Sequence, residues 1–176
     1  MRCAMGDPDA PPLQAAELLQ LLDSHAVRYV VVGGLAATVH GATRVTFDID
    51  LVPEWTEDNL DRLASALRDV EAELLEPESR TPITFTIDAR SLRQFEVSTW
   101  RTRLGDLDVI IGTPTATRGV LARYDTLEPR AVERVAFGVT ILVADLEDII
   151  ESKQALGRES DLVALPELHR LRARSG

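Results

Sequence analysis

Between Thr46 and Val52 the chain reads TFDIDLV, which sets Asp48 and Asp50 two apart in an otherwise apolar run. At that spacing on a strand two side chains share one face, with alpha carbons roughly 6 to 7 Å apart. Carboxylates so placed repel each other and lose solvation unless a cation lies between them, so the pair marks a place for hard cations. Asp108, in LGDLDVI, completes a set of three if its strand lies beside the first; Asp106, on the same face but nearer the turn, is the weaker candidate. Carboxylates without a histidine or cysteine cluster favour Mg²⁺ or Mn²⁺ over zinc.

The second element is Gly33-Gly34, which ends an apolar run and opens into helix formers. Bare backbone N–H groups at such a junction can face phosphate oxygens that side chains would keep away. The pair is neither GxGxxG nor a Walker A loop, since no Gly-Lys-Ser/Thr follows. A calcium loop starting at Asp48 would need glycine where Pro53 stands and glutamate where Asn59 stands. A glycine pair alone is an ordinary turn and an isolated D-x-D an ordinary surface strand; together, at this spacing, they favour a site for phosphate and metal. The third element is DLEDIIESKQALGRESDL, where Leu146, Ile149, Ile150 and Lys153 fall on one helical face. A lysine on that stripe either meets an anion in the site or snorkels to a surface glutamate, and the pattern allows both. Arg158 and Asp161 have the spacing of an ordinary salt bridge. His25, His40 and His169 show no ligand spacing and read as structural, and Cys3 as a bystander.

The surrounding pattern predicts the elements that must position these groups. Leu13 to His25 is helical, and Arg28 to Val32 is a buried strand. Leu35 to His40 is a helix closed by Gly41. Val45, Phe47, Ile49 and Leu51 alternate with Thr46, Asp48, Asp50 and Val52 as a strand with one acidic face. Thr56 caps a helix that keeps its leucine spacing to about residue 75. Phe95 to Arg101 and Leu107 to Ile111 form a hairpin about Leu104-Gly105. A helix near Thr117 to Tyr124 follows, then a hairpin turning at Gly138, then helix from Asp145 onward with Pro166 kinking or restarting it.

With 176 residues, 45% of them hydrophobic, the chain suits one domain over residues 13–176 behind a flexible lead-in, residues 1–12. The residues from about 145 to 176 form its helical C-terminal part. No run is long enough to cross a bilayer and the N-terminus lacks a signal's apolar centre, so a cytoplasmic protein is expected. A formal net charge of −10 argues against a broad basic nucleic-acid face, while leaving room for local arginine clusters such as Arg101 with Arg103 and Arg170 to Arg174.

In GG, TFDIDLV, LGDLDVI and SKQALGRESDL, taken in order, the chain resembles the AbiEii/MenT-type nucleotidyltransferase toxins of the polymerase-beta-like superfamily. The resemblance implies an α/β (α+β) nucleotidyltransferase fold, a mixed twisted sheet flanked by helices. It implies Asp48, Asp50 and Asp108 as Mg²⁺ ligands, Gly33 and Gly34 near a triphosphate such as that of ATP or CTP, and Lys153 and Asp161 as essential residues. In the reaction so implied Lys153, with Arg44 or Arg158, would offset charge on the phosphates. The implied activity is nucleotide transfer from an NTP to the 3′ end of tRNA with release of pyrophosphate, restrained by a cognate antitoxin protein. The alternatives are transfer to a small molecule or a protein side chain, or a nucleotide-binding module without turnover.

Overall fold

The computed structural model describes residues 10–175; residues 1–9 of the expected lead-in, Cys3 among them, lie outside it. The order is α1 (Ala15–Ser24), β1 (Tyr29–Val32), α2 (Gly33–Val39), β2 (Asp48–Pro53), α3 (Glu57–Asp69), β3 (Glu73–Leu75), β4 (Pro82–Ile83), α4 (Ala89–Leu92), β5 (Val97–Thr102) and β6 (Gly105–Ile110). There follow β7 (Thr113–Pro114), β8 (Leu121–Ala122), α5 (Tyr124–Leu127), β9 (Val132–Ala136), β10 (Val139–Val143), α6 (Leu146–Leu156) and α7 (Glu159–Ser175). Eight strands form one sheet in the order β4-β3-β5-β6-β2-β1-β10-β9, and β7 pairs with β8 apart from it. β1 runs parallel to β10 and β2 parallel to β6, while the other neighbours are antiparallel, so the sheet is mixed as expected.

All four residues of β1 are buried, which is why its sequence is a continuous apolar run instead of an alternation. Thr56 accepts a hydrogen bond from the Asn59 N–H, and Glu57 and Asp58 follow in the first turn of α3, where the helix dipole favours acids. Leu60, Leu63, Ala64 and Leu67 put its apolar stripe into the core. This helix ends at Asp69, short of the expected 75. Glu71 takes a left-handed φ of 52°, and the Ala72 N–H closes onto the Leu67 carbonyl at 2.9 Å. That bond pattern stops a helix, and Leu74 enters β3 instead.

Three further expectations need correction. Val45 and Phe47 are not strand residues: β2 starts at Asp48, and both side chains are exposed on the preceding loop, at 77% and 49%. No helix spans Thr117 to Tyr124. The Val120 N–H bonds to the Thr117 carbonyl at 3.0 Å and Gly119 has a φ of +79°, a turn that joins β7 to β8; helix begins only at Tyr124. Pro166 does not restart the last helix, because α7 runs continuously from Glu159 through it. The hairpin at Gly138 stands: Phe137 and Gly138 both have positive φ, the two-residue turn whose twist suits paired strands. Among the described residues no helix is long and apolar enough to cross a membrane.

Candidate active site

Strand register brings the acids together. Parallel pairing of β2 with β6 sets Asp48 beside Asp106 and Asp50 beside Asp108, and antiparallel pairing with β1 sets Asp50 opposite Val32, one residue before the glycines. Gly33 has a φ of +65°, and a Cβ there would lie 2.0 Å from Asp50 Oδ2. A Cβ on Gly34 would lie 2.7 Å from Thr46 Oγ1. Gly33 therefore serves first to admit the Asp50 carboxylate, which accepts a hydrogen bond from the Gly34 N–H, and Gly34 to admit Thr46.

Burial pushes the Asp50 carboxyl up to about 8, with the charges of Asp48 and Asp108 adding to it; the Gly34 N–H and Lys153 oppose the rise. Burial also pushes Asp108 up to about 6, against a hydrogen bond from Thr99 and the charge of Arg80. Asp108 Oδ1 is buried with no hydrogen-bond partner. Asp48 Oδ1 accepts from Thr46 Oγ1 at 2.9 Å. Asp106 is engaged by Arg80 and, at 3.5 Å, by Arg101, which separates it from the other three. Among the described residues no three histidine, cysteine, aspartate or glutamate side chains are gathered at metal-ligand spacing. The residues nonetheless fit a hard divalent cation on two counts: an orphaned carboxylate oxygen, and two carboxyls raised by burial to which the charge of Asp48 adds.

Facing these acids, α6 carries Leu146, Ile149 and Ile150 into the core and, one turn on, Lys153. Its ammonium meets no surface glutamate; Lys153 Nζ donates to Asp161 Oδ1 at 3.0 Å. Arg158 grips the same carboxylate with Nε at 2.6 Å from Oδ2 and Nη2 at 3.3 Å from Oδ1. Gly157, in the left-handed conformation at the end of α6, turns the chain so that α7 starts beside it. Asp161 is fully buried. Burial alone pushes its carboxyl up, but the hydrogen bonds from Arg158 and Lys153 outweigh it and hold the carboxyl below its usual range. The expected Arg158–Asp161 salt bridge therefore exists and includes Lys153.

Two adjoining cavities result. The larger, of about 330 Å³, is lined by Asp48, Asp50, Asp108, Arg44, Phe47 and Glu167 among others. The smaller, of about 120 Å³, runs from Val32 and Gly33 to Leu156. Both are lined by Gly34, Asp50, Lys153, Arg158 and Asp161. Every site residue expected from sequence thus borders one cleft. Arg44 Nη1 donates to the Ser160 carbonyl at 3.1 Å. Sequence reasoning missed Thr46, Thr99 and Arg80, which hold or offset the acids. Their only signal was polarity on loops and strands, and their partners lie on separate elements.

This sheet and cleft define the nucleotidyltransferase fold. No protein-family model and no curated protein matches the chain. Among solved structures it is similar to the lincosamide antibiotic adenylyltransferase LnuA, with a TM-score of 0.59 at 14% identity over 92% of this chain and 99% of that one. It is likewise similar to the antibiotic-resistance factor ANT(2'')-Ia, with a TM-score of 0.55 at 17% identity over 91% and 83%. An antigenic nucleotidyltransferase-like protein from Paracoccidioides brasiliensis matches with a TM-score of 0.54 at 18% identity over 92% and 79%. At such identities the likeness is one of fold.

Proposed function

We propose that the protein is a metal-dependent nucleotidyltransferase that moves a nucleotide from an NTP to an acceptor hydroxyl, with pyrophosphate as the leaving group. The observation that carries this is the convergence, in one cleft, of three strand-borne acids, the glycine junction and the Lys153–Asp161–Arg158 cluster. Asp48, Asp50 and Asp108 would hold Mg²⁺ or Mn²⁺, which when bound lowers the acceptor hydroxyl's pKa and neutralises the phosphate oxygens. Lys153 supplies positive charge beside the glycines, and its hydrogen bond to Asp161 holds that ammonium in place. Arg158, exposed and pushed up in pKa first by its bond to Asp161, and Arg44, which lines the larger cavity with it, add charge for phosphate oxygens. Buried apolar neighbours around Asp50 strengthen every electrostatic contact made there.

For the acceptor, the AbiEii/MenT resemblance favours the 3′ end of tRNA and a toxin held in check by an antitoxin. Exposed Arg170 and Arg174 on α7, the first close enough to act on the cavity-lining Glu167, support it. A second reading, transfer to a small hydroxylated molecule, is favoured by the engagement of three other arginines within the protein. Arg101 is turned inward onto Asp106, Arg103 donates to the Asp69 carbonyl and Arg172 pairs with Glu147. LnuA and ANT(2'')-Ia, whose names tie them to antibiotics, share the fold.

The test supplies Mg²⁺, each α-labelled NTP, and either total RNA or a small-molecule extract. Label on tRNA-sized RNA supports the first acceptor, and label on a small molecule the second. Asp48→Ala and Asp50→Ala, still folded, should abolish transfer. Label transfer unchanged in both variants would overturn the metal-site assignment.

A further inference from the structure

Away from the charged residues it shares with the larger lobe, the smaller lobe is walled by apolar side chains: Val32, Ile110, Pro114, Ala144, Ile149 and Leu156. Asp148 lines it too, with its side chain 4% exposed. Arg130 Nη2 donates to Asp148 Oδ1 at 2.6 Å, while Oδ2 is buried with no hydrogen-bond partner. The place of Asp148 in the first turn of α6 explains a favourable dipole but supplies no donor, because the cap belongs to Asp145, which accepts from the Glu147 N–H at 2.9 Å. A buried acceptor left unpaired is costly, and native structures keep few of them. Here it stands in a slot that opens, past Gly33, Gly34 and Lys153, onto the acids.

We propose that this lobe takes the nucleobase of the donor NTP and that Asp148 Oδ2 accepts a hydrogen bond from the base's exocyclic amino group. The inference rests on the nucleotidyl-transfer reading and adds to it the class of nucleotide. Apolar walls accept the faces of any base, so they discriminate weakly. A single buried acceptor discriminates strongly, because a base that offers a carbonyl at that edge leaves two acceptors facing each other, and one that offers a bare C–H leaves the carboxylate unpaired. Amino-bearing bases are selected and uracil and hypoxanthine refused. The triphosphate of the same nucleotide reaches Gly34 and Lys153, which belong to both lobes.

Isothermal titration calorimetry of the wild-type protein in Mg²⁺ with ATP, GTP, ITP, CTP and UTP tests this, since ATP and GTP each differ from ITP, and CTP from UTP, at the amino position. The amino-bearing member of the accepted pair should bind about tenfold to a hundredfold more tightly, the worth of a hydrogen bond to a charged acceptor. Asp148→Asn, whose amide can donate, should shrink or reverse that ratio. Equal affinities within every pair would overturn the proposal while leaving nucleotide transfer standing, and need no variant to fold. A wild-type preference that survives intact in folded Asp148→Asn would overturn it as well. Failure of all five nucleotides to bind would sink nucleotide transfer itself, and the base pocket with it.

Discussion

Gly33→Ala tests the central geometric claim, that the glycine junction exists to admit Asp50. Two penalties add. At a φ of +65° an alanine pays the left-handed cost, about 1–2 kcal/mol. Its Cβ would also stand 2.0 Å from Oδ2 and 2.7 Å from Cγ of Asp50, so the carboxylate must swing away and give up the Gly34 N–H, worth about 1.5–3 kcal/mol for a charged acceptor. The total is about 2.5–5 kcal/mol, or a fall in Tm of about 5–20 °C for a chain of this size. In an Asp50→Ala background both clashing atoms are gone and only the residue's Cβ, at 3.0 Å, remains, so Gly33→Ala should cost only the backbone part. A double-mutant cycle by urea denaturation at pH 9, above the value of about 8 at which Asp50 ionises, should therefore show a coupling of about 1.5–3 kcal/mol. Asp50→Ala alone should be neutral or stabilising, since it removes a buried carboxyl that repels Asp48 and Asp108. Equal costs for Gly33→Ala in both backgrounds would refute the cradle and leave the glycines as a plain turn.

Lys153→Met should lower transfer by about 10²–10³ through loss of a fixed cation. Its stability cost should stay within about 1–2 kcal/mol, because Arg158 still holds both oxygens of Asp161; a collapse of the melting curve would make Lys153 a structural residue. Because the Asp161 carboxyl lies below its unfolded range, its contribution to stability is present above about pH 4 and is lost as pH falls through the folded value. Asp161→Asn should therefore lower stability at pH 7 and flatten the acid limb of the stability profile, and an unchanged slope below pH 4 would contradict that pairing. Mg²⁺ or Mn²⁺ at a hundred times its Kd should stabilise the protein by about 2.7 kcal/mol, seen as a Tm rise of about 5–10 °C. Calorimetry should show that rise lost in Asp50→Ala and reduced in Asp108→Ala; an undiminished rise in both would place the cation elsewhere.

Much of the sheet was readable because its strands announce themselves by burial. The run up to Val32, the hairpin arms around Leu104-Gly105 and the turn at Gly138 each pair an apolar pattern with a turn residue whose φ the structure confirms. Misreadings came where local pattern and long-range contact disagree. Leu74 continues the leucine spacing of α3, yet Glu71 adopts a conformation that few non-glycine residues take, and nothing in EAELL signals it. Val45 and Phe47 alternate with Thr46 as strand residues do. Pairing nevertheless starts only at Asp48, Thr46 Oγ1 turns back onto the carbonyl and carboxylate of Asp48, and Val45 and Phe47 line the larger cavity.

The acids themselves show why a site is more legible than its support. Asp48, Asp50 and Asp108 stand out because a charge on a buried strand violates the pattern around it, and a violated pattern can be seen without knowing the partner. Asp106 violates the same pattern, and spacing ranks it only just below Asp108. What separates the two is Arg80, 26 residues away, whose side chain engages Asp106. Arg101 adds a second contact from the neighbouring strand, where register sets it opposite Asp106. Neutralising one acid of the row leaves its neighbour with the orphaned oxygen and the raised pKa. Removing that neutralisation, as Arg80→Ala would, should draw Asp106 into competition for the same cation, so divalent affinity in calorimetry should rise while transfer falls. An affinity and a rate that drop together would instead make Arg80 a support for Asp108.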